Sequence, residues 1–216
     1  MKTIPRQGIM SPQVARHLPA GQIGAPPTQE EYSGVAIGEG TLEGAVADSL
    51  IFEQTRLRRV NFMRMRVLRL RLTDVRLDGC DLTAVNCEQA HLRRVEAAGC
   101  RMWGANLYKA QIEDTRFEEC NAENAVFTGA VFKGARFEGC NLTGVSFSEA
   151  DLTGVVFVRC DLSGVDLRGA KLKGADLRAC ILDGLRVNAA DLKGLIVEPA
   201  QTVAIARLLG IEVKAE

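Results

Sequence analysis

The chain has 216 residues and carries 27 Lys+Arg against 27 Asp+Glu, for a net charge of zero. That length supports one good-sized core, and the missing basic excess argues against a general polyanion binder. With 25% charged and 47% hydrophobic residues the composition is that of a folded chain, and no apolar run approaches the ~18 residues that span a bilayer.

Residues 1–34 hold five of the six prolines and follow no period. The first twenty carry three prolines and no apolar h-region, so no secretory signal is expected. Ser11-Pro12 before Gln13-Val14-Ala15-Arg16-His17-Leu18 predicts one short helix, with Ser as N-cap and Pro at N1. The segment reads as an N-terminal arm or cap, with plain disorder as the alternative.

Residues 35–198 obey a single rule. Every fifth position from Leu42 to Val197 is Ala, Val, Ile, Leu, Met, Phe or Cys, 32 positions without exception. At the chain's own hydrophobic frequency chance gives this about 3 times in 10¹¹. All eight Phe stand in that column: Phe52, Phe62, Phe117, Phe127, Phe132, Phe137, Phe147 and Phe157. A second column runs two residues earlier, small or apolar at 29 of 32 positions, with Gly40, Thr55 and Thr115 as the exceptions.

A period of five fits no regular element. On an α-helix it spirals around the axis, and on a flat strand it alternates faces. Calling the central residue i, positions i−2 and i do share one face of a short extended piece. Each pentad is therefore expected to be such a piece ending in a corner, with Gly at i+2 (Gly129, Gly134, Gly139, Gly144, Gly154) suiting the turn. Cys80, Cys100, Cys120, Cys140, Cys160 and Cys180 recur every 20 residues, which sets four pentads per coil. The span then makes about eight coils, and at ~4.8 Å per coil a stem roughly 38 Å long. Ends of such a stem need caps.

Segments such as Ala150-Asp151-Leu152-Thr153-Gly154, Cys160-Asp161-Leu162-Ser163-Gly164 and Ala190-Asp191-Leu192-Lys193-Gly194 resemble the pentapeptide-repeat consensus, small-Asp/Asn-Leu/Phe-Ser/Thr-Gly. The resemblance covers about 160 of the 216 residues. It implies an all-β fold: the right-handed, four-sided parallel β-helix of that family. Residues 199–216 follow as a C-terminal unit, with a helix over Ala200 to Leu209 stopped by Gly210, then a strand at Ile211-Glu212-Val213. Val203, Ile205, Leu208, Leu209 and Ile211 either cover the last coil or join two stems tail to tail, as several similar family members do. Exposed apolar ends favour the homodimer.

No chemistry is expected inside the stem. Stacked thiols have parallel Cβ vectors, which disfavours disulfides, and one column offers an ion too few converging ligands for zinc. The cysteines read as small buried filler, Cys87 included. Seven Cys, an odd number in no zinc-ribbon spacing, favour a reducing compartment, and a cytoplasmic location is expected. His17 and His91 have no placed nucleophile or acid partner, and no side-loop insertion builds a cleft, so no catalysis, cofactor or metal is expected.

Outward residues carry the functional reading. The cysteine-bearing side holds Glu43, Asp81, Glu123, Asp161 and Asp183 against Arg64 and Arg101, while each other side sums to +1. Arg56, Arg58, Arg59, Arg64, Arg66, Arg69, Arg71 and Arg76 crowd the N-terminal coils, opposed there by Asp74. Lateral pairs such as Arg116 with Glu118 or Arg136 with Glu138 would neutralise part of the surface. Trp103 and Tyr108 occupy outward i+1 positions on adjoining sides, a docking patch in the making.

The family resemblance implies a named partner. Its best-understood bacterial members resemble B-form DNA in width and charge, bind DNA gyrase or topoisomerase IV, and confer resistance to quinolones or natural-product gyrase poisons. This chain departs in being neutral and in lacking projecting loops. The reading is a non-enzymatic, one-sided DNA mimic that binds type II topoisomerase along Asp81, Glu123, Asp161 and Asp183, with Trp103 and Tyr108. Neither membrane binding nor sequence-specific nucleic-acid binding is expected. The alternative is an interaction scaffold regulating a different protein through the Arg cluster and Trp103.

Overall fold

The computed structural model describes residues 8–24 and 30–214. Pentads 20 residues apart pair in parallel, as in Leu50↔Leu70, Leu72↔Leu92, Ile112↔Phe132 and Phe137↔Phe157. Four pentads therefore close each coil, and the expected four-sided parallel β-helix forms. From Leu42 to Leu185 residues i−2 and i point inward because that face alone is apolar at both positions, while in the last coil Ala190 is exposed. Leu42, Leu57, Val95, Ala125, Phe147 and Val165 are among those wholly sealed from solvent.

The longest strands lie on the N-terminal coils. After β1 (Glu31–Ser33) and β2 (Ala36–Thr41) come β3 (Val46–Asn61) and β4 (Arg66–Asp78), which run through corners without breaking. β5 (His91–Ala98), β6 (Gln111–Glu118), β7 (Val131–Glu138) and β8 (Val156–Val158) are shorter and line the third and fourth sides. The strand ladder β1-β3-β4-β5-β6-β7-β8 accounts for about six turns, fewer than the eight expected. The difference lies at the C-terminal end, where the same step persists only as single bridges such as Val156↔Asp176 and Asp176↔Ile196.

Corners fall at i+2, where the backbone turns left-handed. Glycine takes this turn at Gly154 (φ 70°) and Gly174 (φ 73°) without strain. Fifteen non-glycine residues adopt it too, among them Asp74 (φ 56°), Arg94 (φ 50°) and Asp114 (φ 49°). Each costs about 1–2 kcal/mol against a right-handed conformation, offset by the coil-to-coil hydrogen bonds the corner permits, such as Gly104 N–H to Glu123 O at 2.9 Å.

Inside, like residues stack on like. Phe117 and Phe137 lie 4.6 Å apart at 8°, and Phe137 and Phe157 5.1 Å apart at 6°. Phe127 and Phe147 stack at 5.3 Å on another side. All seven cysteines are free and buried; Cys100 and Cys120 aim their thiols at Leu77 O and Ala97 O, 3.5 and 3.4 Å away. Burial pushes the Cys87 thiol up to about 12. The two threonines in the small column follow the same logic, since Thr55 Oγ1 donates to Glu53 O (2.7 Å) and Thr115 Oγ1 to Glu113 O (3.0 Å).

Both ends are closed. Ala20 bridges Ala36, and Ile23 presses on Gly40 so closely that a Cβ there would stand 2.6 Å from its methyl. At the other end a 3₁₀ turn (Pro199–Gln201) leads into α1 (Thr202–Leu208), with Gly210 left-handed behind it. Gln201 Nε2 donates to the Leu177 and Cys180 carbonyls, both at 2.8 Å. The expected strand at 211–213 does not form, because no neighbouring strand presents it a partner.

The N-terminal segment departs from expectation more sharply. Residues 1–7 and 25–29 of the expected 1–34 unit lie outside the described residues, and residues 8–24 contain no helix. They run extended along the rod, from Gly40 at the first coil to Asp114 and Arg116 further up. Gln13 N–H donates to Asp74 (2.8 Å), Met10 N–H to Asp114 (3.3 Å), and Arg116 to Ile9 O (3.2 Å). Pro12 and Pro19 suit an extended chain, and the stem's polar corner groups satisfy the backbone better than an isolated turn of helix would.

Candidate functional site

On the cysteine side the consensus itself decides which carboxylates are available. An Asp or Asn at i−1 turns its side chain back onto the N–H two residues on: Asn61 to Met63, Asp81 to Thr83, Asn141 to Thr143 and Asp161 to Ser163, all at 2.9–3.0 Å. These are Asx turns that hold each side flat. Asp161 also accepts from Ser163 Oγ (2.6 Å). Asp81 is further engaged by Arg101 at 3.0 Å. Burial opposes its ionisation, but the Thr83 hydrogen bonds and the Arg101 charge outweigh that and hold the carboxyl below the usual carboxylate range.

Glu123 and Asp183 stand instead at i+1 and project from the side, Asp183 exposed and Glu123 half-buried. Beyond Arg101 this side carries Glu123, Asp161 and Asp183, with Asn121, Asn124 and Asn141, and no Lys or Arg up to Gly184. Trp103, 48% exposed, sits one coil before Glu123 in the same column. Tyr108 lies around the next corner, half-buried, with Lys109 Nζ 5.0 Å over its ring. Trp103, Glu123, Asp161 and Asp183 thus share one face, while Asp81 is paired and Tyr108 borders it.

The apolar C-terminal residues divide. Ile205 and Leu208 pack against the core, whereas Val203, Leu209 and Ile211 are 40%, 39% and 55% exposed. Val213, at 39%, joins them.

Charge pairing also divides the rod. Toward the C-terminus, Arg at i+1 folds back on Asp at i−1: Arg168 on Asp166 and Arg178 on Asp176, both at 2.6 Å. Arg136 meets Glu138 at 3.1 Å as expected, but Arg116 reaches Ile9 O and Glu96 rather than Glu118. Among the N-terminal arginines, Arg59, Arg64 and Arg76 find Glu39, Glu43 and Glu96. Asp74 is spoken for by Arg94 through two short hydrogen bonds (2.7 and 2.5 Å), with Asp74 4% exposed. These Arg94 bonds, against the burial penalty and aided by Gln13 N–H, hold the Asp74 carboxyl below its ordinary range. The 20-residue period carries the signal for half of this clamp, since it stacks Arg94 one coil above Asp74, but nothing in the sequence marked Gln13, 61 residues away and outside the repeat.

Among the described residues no group of His, Cys, Asp and Glu converges to hold a metal ion, and no helix is long and apolar enough to cross a membrane. What the fold presents is a four-sided solenoid with apolar columns inside and most of its polar and charged side chains on the outer faces, the architecture of a repeat protein. The chain belongs to the pentapeptide repeat family: the model described as "Pentapeptide repeat region" matches residues 70–142 and 130–203. No curated protein matches the chain at a significant level.

Among solved structures, trypsin-treated QnrB1 (M102R), titled a plasmid-mediated fluoroquinolone resistance protein, is 20% identical with a TM-score of 0.45, over 93% of this chain and 100% of that one. HetL, from the cyanobacterium Nostoc sp. strain PCC 7120 and titled as involved in heterocyst differentiation regulation, is 22% identical with a TM-score of 0.35. That match covers 82% of this chain and 87% of HetL.

Proposed function

We propose that this chain is a non-enzymatic contact protein that binds a type II topoisomerase through the C-terminal half of its cysteine side. The observation carrying this reading is that face's run of Glu123, Asp161 and Asp183 among asparagines with no cation between them. Its charge is sparser than that of a duplex, which carries a phosphate per 3.4 Å of each strand. The mimicry is therefore one-sided, and Trp103 supplies the anchor that the thin charge does not. Two copies meet through Val203, Leu209 and Ile211, which doubles the length of face presented. Protection of the topoisomerase from quinolones or natural-product gyrase poisons is the biological role this reading assigns.

A gyrase supercoiling and drug-stabilised cleavage assay tests it. Purified protein should inhibit supercoiling or relieve cleavage, and Glu123→Lys with Asp183→Lys should weaken the effect at least tenfold. Asp161→Asn, which keeps the Asx turn, should weaken it less. Absence of any effect on gyrase and topoisomerase IV overturns the reading.

A further inference from the structure

Eight arginines of the described residues lack an acidic partner within 4.0 Å: Arg16, Arg56, Arg58, Arg66, Arg69, Arg71, Arg93 and Arg207. Four of them, Arg66, Arg69, Arg71 and Arg93, are exposed and gather around the corner where the second side turns into the third. Register places Ser49 under Arg69, Ile51 under Arg71, Arg71 under His91 and Thr73 under Arg93, each one coil apart.

The corner there is unlike the others. Ser49 and Arg69 are the two stem corner positions before Ala189 that do not turn left-handed, so β3 and β4 pass through extended. The flattened corner leaves a depression of about 360 Å³ lined by Ser49, Ile51, Leu68, Arg69, Arg71 and His91. A second, of about 280 Å³, shares Arg71 and His91 and runs on to Arg93. Beside them stand Leu68 and Val46, at 73% and 72% the most exposed large apolar side chains of the described residues.

We infer that this flattened corner is a second docking site, taking a short extended acidic segment of a partner protein that also carries an apolar side chain. Carboxylates fit here because unpaired guanidiniums bind them through two parallel hydrogen bonds. Leu68 and Val46 supply the apolar contact beside the charges. The patch is also bounded. Asp48, Glu53, Glu88 and Glu113 stand at its edges on neighbouring coils of the same two sides. Along the axis that fence encloses two to three coils, roughly 10–14 Å, which admits about three or four extended residues of the segment, and it repels the continued backbone of a nucleic acid. No Phe, Tyr or Trp in the patch offers a base a broad stacking platform, His91 being its one ring.

Fluorescence polarisation with the full chain tests this. The probe is a fluorescein-labelled twelve-residue peptide alternating Glu and Leu, compared with its Gln-Leu counterpart and a twelve-nucleotide single-stranded DNA. The Glu peptide should bind at least tenfold tighter than the Gln peptide and tighter than the DNA. R69E/R71E should cost it tenfold or more, R69K/R71K about threefold, and L68A about fivefold. Cooperative melting verifies each variant, and R69Q/R71Q reads the same loss if the reversal does not fold. Equal binding of Glu and Gln peptides, indifference to R69E/R71E, or tighter binding of the DNA overturns the inference. The topoisomerase assay should not respond to R69E/R71E, so the two proposals stand or fall separately.

Discussion

The two halves of the rod solve one geometric problem by different means. In the C-terminal coils most corners are glycine, charges close within a pentad or onto the adjacent coil, and phenylalanines stack in line. The N-terminal coils place Gln54, Arg59, Arg64, Asp74 and Arg94 in the same left-handed corners, and leave arginines unpaired. The C-terminal half is the cheaper way to build a stem. Strain kept in the other half therefore marks corners where a side chain is needed: Asp74, Arg94 and Asp114 form the ledge on which the N-terminal arm lies.

This contrast is sharpest where it can be broken. Phe137→Ala removes the middle ring of the Phe117–Phe137–Phe157 stack and should cost about 4 kcal/mol in urea unfolding, the largest single loss in the stem. In the N-terminal half the rings stack only as the pair Tyr32 and Phe52, 5.1 Å apart, and the sharper break is ionic. Arg94→Ala leaves Asp74 buried without its partner and should cost about 3 kcal/mol at neutral pH.

The Arg94 cost has a pH signature. The Asp74 carboxyl is held below its ordinary value of 3.8, so the stabilisation is complete above that pH and is lost as pH falls through the lower folded value. Urea midpoints of wild type and Arg94→Ala should therefore converge on acidification below about pH 4, and a gap that stays constant would show that the ion pair is not its source. Phe137→Ala should keep its deficit across the same range.

The smallest effects test the corners themselves. Gly174→Ala should destabilise by about 1 kcal/mol and Ala84→Gly should stabilise by a similar or smaller amount, because both backbones are left-handed. Matched thermal melts of the two variants check this, and equal signs would contradict the account of the corners.

Most of the stem is legible in the sequence because its rule is local: residues i−2 and i inward, a corner at i+2, four pentads per coil. Even the exceptions conform, since Thr55 and Thr115 satisfy their hydroxyls on nearby carbonyls as the cysteine thiols do. The arm is not legible. Its course depends on Gln13 meeting Asp74 and Ile9 meeting Arg116, contacts made across separations that carry no period. The candidate site is legible in part. Composition located the acidic face, but only the hydrogen bonds separate Asp81 and Asp161, which hold turns, from Glu123 and Asp183, which project. Likewise Ile205 and Leu208 differ from Val203 and Leu209 only by which way the short helix rolls onto the last coil.

The amide of Gln201 has a consequence for assembly. A parallel solenoid ends in a row of carbonyls that would accept another coil from any chain able to supply N–H groups, so an open end is a growth point. Gln201 places two donors from a side chain on the Leu177 and Cys180 carbonyls, and the Cys180 carbonyl is where the next coil's backbone would have bonded, as Ile181 N–H bonds Cys160 O one coil below. Gln201 acts as a chain stopper in the polymer sense, fixing the length of the rod and keeping its tip from seeding a fibre.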